Sequence, residues 1–108
     1  MFFKILKNVM STLTKRLKEA RLRAGLSQEQ LGIRIGLEPE SASTRMNRYE
    51  LGKRVPDLEL IERVAAELKL PAAYFYAVED DEAELLVQFH KLNATKRRQV
   101  IAFITNDA

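Results

Sequence analysis

At 108 residues the chain has room for one domain with a short helical extension. With 46% hydrophobic and 31% charged residues, four glycines and three prolines, it is neither a disordered nor a fibrous chain. It has no cysteine, which excludes disulfides and thiolate metal sites. Its net charge of +3 conceals an asymmetry: residues 1–56 balance at +7 and residues 57–108 at −4. A basic front half with an acidic rear half suits a polyanion-binding module joined to an assembly region, the alternative being solvated surface with no partner.

No apolar run is long enough to span a bilayer. Residues 1–9, Met1-Phe2-Phe3-Lys4-Ile5-Leu6-Lys7-Asn8-Val9, resemble a secretory leader only superficially. Lys4 and Lys7 interrupt the apolar stretch and no small-residue cleavage site follows, so a cytoplasmic location is expected. Met10-Ser11 reads as a natural start, making residues 1–10 an N-terminal extension.

Helical periodicity dominates the rest. A first helix is expected from about Leu13 to Ala24, capped by Ser11 or Thr12 and stopped by Gly25, with Leu13, Leu17, Ala20 and Ala24 on one stripe. Ser27 opens a second helix, and Gln30 three residues on completes a capping box. Leu31 and Ile35 face inward and Gly36 ends the helix. A third helix starts between Glu38 and Ser41 and runs to about Leu51, with Gly52 beyond its end. Asp57 caps a fourth, whose stripe is Leu58, Ile61, Val64, Ala65 and Leu68. A short fifth runs from Leu70-Pro71 through Tyr76. Asp80 or Asp81 begins a sixth, carrying Leu85, Leu86, Phe89 and Leu92, and Asn93 caps a seventh, carrying Val100, Ile101 and Ile104. The fold class is therefore all-α: a five-helix domain over 11–78 and a C-terminal helical hairpin over 79–108, divided at the acidic cluster from Val78 to Asp81.

The segment from Leu26 to Pro56 carries the function. Two helices flank a turn, and the second has two unlike faces. Ala42, Met46 and Tyr49 share an apolar side fit for a core, while Ser43, Thr44, Asn47 and Arg48 lie around the opposite side. Those hydroxyls, amide and guanidinium suit base edges in a major groove, where Arg pairs with guanine and Asn with adenine. Arg45, Lys53 and Arg54 flank this helix, and Gln28 stands at the start of the helix before it, where free backbone N–H groups favour a phosphate. The alternative is a polar solvated face.

Arg16-Leu17-Lys18-Glu19-Ala20-Arg21, Gly25-Leu26-Ser27-Gln28-Glu29-Gln30-Leu31 and Arg48-Tyr49-Glu50-Leu51-Gly52-Lys53-Arg54-Val55-Pro56 follow one another in the order that resembles the Xre/Cro-type helix-turn-helix family of phage repressors and bacterial regulators. The resemblance covers about residues 13–76. It implies double-stranded DNA as partner, base contacts by Ser43, Thr44, Asn47 and Arg48, and backbone contacts by Gln28, Lys53 and Arg54. It also implies a structural ion pair between Arg21 and Glu50. Two departures stand out. Gly36 to Ser43 is about four residues longer than the usual connection, so either the turn is expanded or the third helix gains a turn at its start; Glu38 and Glu40 then lie near phosphates, accepting from a cytosine amine or facing solvent. Gly32 replaces the small residue, usually Ala, expected in the second helix.

One helix-turn-helix covers few base pairs, so a two-fold pair on a palindromic site is expected. Leu85, Leu86, Phe89, Leu92, Val100, Ile101 and Ile104, with Phe103, exceed what a two-helix hairpin buries within itself, which points to a homodimer through residues 80–105, aided by Phe2, Phe3, Ile5 and Leu6. The alternative is a hairpin packed back on its own first helix. The only histidine is His90, and there is no Gly-rich phosphate loop, so no catalytic residue, metal, cofactor or small-molecule substrate is expected. The two function classes are a DNA-binding regulator, most simply a repressor, and an antitoxin-like module whose main partner is another protein.

Overall fold

The computed structural model describes residues 2–106, apart from the side chain of Leu6, which therefore lies outside the account of the N-terminal apolar residues. Among the described residues every regular element is helical. The first helix, α1, runs from Phe2 to Arg23. It begins well before the expected Leu13, because residues 2–12 contain no glycine or proline to break it, and neither Ser11 nor Thr12 serves as a cap. Leu13, Leu17 and Ala20 are buried on its inner stripe, while Ala24, expected there too, is exposed. Gly25, at φ +71°, closes the helix: its N–H donates to the carbonyl of Leu22 and that of Leu26 to the carbonyl of Arg21, a left-handed stop that a β-carbon would strain.

α2 spans Gln28–Arg34. The Ser27 hydroxyl accepts from the Gln30 N–H at 3.0 Å, and the Gln30 side chain accepts from the Ser27 N–H at 2.9 Å, so the capping box forms in full. Residues 35–38 make the turn, and α3 follows over Pro39–Glu50 with Pro39 in its first turn. The added residues therefore lengthen α3 rather than the turn. α2 and α3 cross closely at Gly32, where a β-carbon would stand 2.8 Å from the Ala42 Cβ and 3.2 Å from the Met46 Cγ.

α4 spans Leu58–Leu68, its Asp57 cap accepting from the Leu60 N–H at 2.8 Å. Its buried stripe is Leu60, Ile61, Val64 and Ala65; Leu58, expected inside, is exposed, because the stripe enters the helix at Leu60 and leaves Leu58 on its rim. A 3₁₀ helix over Ala72–Tyr76 buries Tyr74 and Phe75, their rings edge to face at 5.1 Å. α5 covers Asp80–His90 and α6 covers Ala94–Asn106, with the Asn93 carboxamide oxygen capping α6 through the Lys96 N–H at 2.9 Å.

One core holds these elements together. Leu17, Leu31, Met46, Ile61, Val64, Tyr74 and Phe75 are its most completely buried large apolar residues, and Ala83 and Val87 of α5 belong to it. The expected division between residues 78 and 79 is thus no break in packing. Arg16, only 1% exposed, is the reason the chain turns there under control. Its Nε donates to the carbonyl of Ala77 at 2.9 Å and a terminal nitrogen donates to that of Val78 at 3.2 Å, while its guanidinium meets the Asp80 carboxylate at 3.0 Å. Lys15 also bonds Asp80, at 2.8 Å, and the two cations hold that carboxyl below its ordinary range. α6 differs from every other helix in burying no residue, and α5 is the C-terminal helix that contributes buried residues to the core.

Candidate nucleic-acid interface

The surface around α3 is built from the inside outward. Ala42, Met46 and Tyr49 are buried and anchor the helix. Arg21, from the last turns of α1, reaches Glu50 in a two-pronged pair, Nε to Oε2 at 2.6 Å and a terminal nitrogen to Oε1 at 3.0 Å, and also donates to the Leu26 carbonyl at 2.9 Å. The pair is nearly dry, with side chains 10% and 3% exposed, so both charges depend on each other. Gln28 extends the same set: its amide nitrogen lies 3.2 Å from Glu50 Oε1 and 3.1 Å from the Asn47 side-chain oxygen. Asn47 thus accepts through its side-chain oxygen, while its amide N–H groups enter no hydrogen bond among the described residues.

Ser43, Thr44, Asn47 and Arg48 are all exposed. At about 100° per residue they occupy an arc of about 140° opposite the buried face, with Thr44 and Asn47 near its middle. Glu40 and Leu51 project between or beside them and are exposed as well. The chain then turns over Leu51–Arg54, where the N–H groups of Lys53 and Arg54 both donate to the Arg48 carbonyl, at 2.9 and 3.3 Å. Lys53 and Arg54 are exposed, and the Arg54 guanidinium lies 5.9 Å from the Tyr49 ring centre. Arg45 behaves differently from the other basic residues. It is half-buried, donates to the Tyr49 hydroxyl at 3.0 Å, and leaves its Nε buried without a partner.

The structure thus gathers Gln28, Ser43, Thr44, Asn47 and Arg48 on one side, with Arg21–Glu50 beneath; Lys53 stands on the exposed turn that follows, and Arg54 turns to the Tyr49 side of α3, where it shares a cleft with Arg45. Two residues that matter here escaped the sequence reading. Arg16 has no role in that reading, although its place on the Leu13–Leu17–Ala20 stripe marks it as a charge that must be buried. Tyr74 donates to Glu19 at 3.0 Å, and burial, reinforced by that bond, pushes its hydroxyl up to about 12. No group of acidic or histidine side chains with metal-binding geometry occurs among the described residues. His90 ends α5 on the exposed surface.

Two helices in this register, joined by a tight turn and carried on α1 and α4, define a helix-turn-helix protein. A family model described as "Helix-turn-helix domain" matches residues 12–86, and the chain belongs to that family, consistent with the Xre type. A solved structure titled "Crystal structure of transcriptional regulator BswR" is similar throughout: TM-score 0.80, 41% identity, covering 86% of this chain and 92% of that one. A comparison with curated proteins gives no match.

Proposed function

We propose that this protein is a transcriptional regulator that binds double-stranded DNA through α3, as a homodimer on a palindromic site. The observation that carries the proposal is the outward arc of Ser43, Thr44, Asn47 and Arg48, backed by a buried Arg21–Glu50 pair and flanked by Gln28, Lys53 and Arg54. Similarity to a transcriptional regulator across nearly the whole chain supports it. In this reading Ser43, Thr44, Asn47 and Arg48 meet base edges, while Gln28, Arg45, Lys53 and Arg54 meet phosphates. Occupying the duplex is the action this surface supplies, which makes repression its simplest output. A cytoplasmic location follows from the partner, and no enzymatic activity is proposed. The dimer forms through Leu85, Leu86, Phe89, Leu92, Val100, Ile101 and Ile104. Leu85, Ile101 and Ile104 are exposed in one copy and the other four are half-buried.

The test is binding to selected and random duplexes over a range of salt. Neutralised phosphates predict a steep loss of affinity as salt rises. Arg48→Ala is expected to weaken the selected duplex by about 1–3 kcal/mol and random DNA little, whereas Lys53→Ala weakens both alike and lowers the salt slope by about 1. Equal losses from the two variants on both duplexes would remove Arg48 from the base-reading set. A second reading, an antitoxin-like module bound mainly to another protein, draws on the exposed apolar side of α6; binding that is insensitive to salt, or absent, would favour it.

A further inference from the structure

We infer that Glu40 is a specificity residue of the α3 surface, accepting a hydrogen bond from the exocyclic amine of a cytosine in the major groove. The inference deepens the DNA-binding reading and rests on it. It starts from where the four added residues went. They lengthen α3 at its N-terminal end, over Pro39–Ala42, and the N-terminal part of a recognition helix is the part that reaches base edges. In projection at about 100° per residue, Glu40 falls between Thr44 and Asn47, in the middle of the polar arc rather than at its rim. Helical side chains lean toward the N-terminus, so the Glu40 carboxylate stands ahead of Thr44 along the same face.

Nothing inside the protein accounts for that position. Glu40 is exposed, and it takes part in none of the side-chain hydrogen bonds or ion pairs among the described residues, whereas Glu50 on the same helix is fully engaged. The first turn of a helix favours an acidic side chain, but that preference concerns distance from the end and says nothing of facing. On a surface meant for a polyanion, an unpaired carboxylate at the centre weakens binding to every sequence that offers it no donor. A carboxylate only accepts. Guanine presents two acceptors in the major groove and thymine an acceptor and a methyl group; adenine sets an acceptor beside its amine. Cytosine alone offers an amine without a neighbouring acceptor. The carboxylate therefore works by exclusion as much as by attraction.

The experiment is selection of bound duplexes from a random pool at one fixed salt concentration, with the full chain and with Glu40→Gln and Glu40→Ala. Glu40 is exposed and outside the core cluster, so matching melting temperatures establish that all three proteins are folded. The expected result is a cytosine at one position of each half-site for the parent protein, with a penalty of about 5- to 100-fold for other bases there. Glu40→Gln shifts that position to adenine, because a carboxamide both donates and accepts, and Glu40→Ala flattens it while the remaining positions keep their preferences. Identical preferences from all three proteins would overturn the assignment and leave the DNA-binding reading intact. If none of them enriches any duplex, the DNA-binding reading itself falls and this one with it.

Discussion

Tyr74 shows how a single side chain ties distant parts of the chain together. It is buried against Phe75, lies 5.8 Å below the Arg16 guanidinium and donates to Glu19, so it joins the 3₁₀ helix to α1. Its hydroxyl is raised above the free-tyrosine value to about 12, chiefly by burial. A raised acid group of this kind stabilises the fold fully while pH stays below the unfolded value near 10. That stability is lost as pH climbs from about 10 to about 12. Tyr74→Phe is therefore expected to cost about 1 kcal/mol at neutral pH, for the lost bond to Glu19, and to flatten the alkaline loss over that window. Urea unfolding followed at pH 7 and between pH 10 and 12 checks both parts. At this scale the sequence was legible where partners are close. Ser27 with Gln30 and Asp57 with Leu60 are pairs three residues apart, and a capping pattern exposes them. Arg16 was not legible, because the carbonyls it serves lie 61 and 62 residues away and are backbone groups that carry no residue signature.

Among the elements, the α2–α3 crossing is the tightest junction described. Gly32 permits it, since a β-carbon there would meet the Ala42 Cβ at 2.8 Å and the backbone oxygen of Ala42 at 3.1 Å. Gly32→Ala gains about 1 kcal/mol in helix propensity but forces two backbones apart, which costs about 1–3 kcal/mol. The expected net effect is a lower melting temperature, together with weaker DNA binding because α3 shifts outward from α2 and Gln28 loses Asn47. Calorimetry with a parallel binding titration tests it; a variant that melts higher and binds as before would show that the crossing relaxes freely. The departure at position 32 was readable in the sequence, whereas its cause, the approach of α3, needed three dimensions. The start of α1 was misread for the opposite reason. Ser11 and Thr12 are good capping residues, yet helix-compatible neighbours on both sides carry the helix straight through them. Leu58 fitted the helical stripe of α4 by spacing, but Leu60, two residues on, takes the inward place in that first turn.

For the molecule as a whole, the unfinished surface is the C-terminal end. α6 buries nothing, and Ile101, Phe103 and Ile104 stand exposed, Phe103 at 74%. Phe2 and Phe3 at the other terminus are exposed as well. A second copy seated on α6 predicts a dimer mass in sedimentation equilibrium and a melting temperature that rises with protein concentration. Ile101→Asp with Ile104→Asp is expected to halve the mass while leaving helical content unchanged, since neither residue supports the monomer's own core. A parent chain of monomer mass at every concentration would remove this interface. The all-helical class, the order of helices and the basic front were readable from periodicity and charge; that α5 joins the front core stood only as the alternative to a dimer, because Ala83 and Val87 are less conspicuous than Leu85 and Phe89 beside them. The clasp of Arg16 on Ala77, Val78 and Asp80 then has a geometric consequence. It holds the start of α5 against α1, and α1 holds α3 through Arg21. In the proposed pair, the path from α3 through α1 to the start of α5 is therefore held within each copy before any duplex arrives, like one jaw of a caliper. Inserting one base pair at the centre of the site turns one half by about 35° and moves it about 3.4 Å, so spacing should be judged as strictly as sequence.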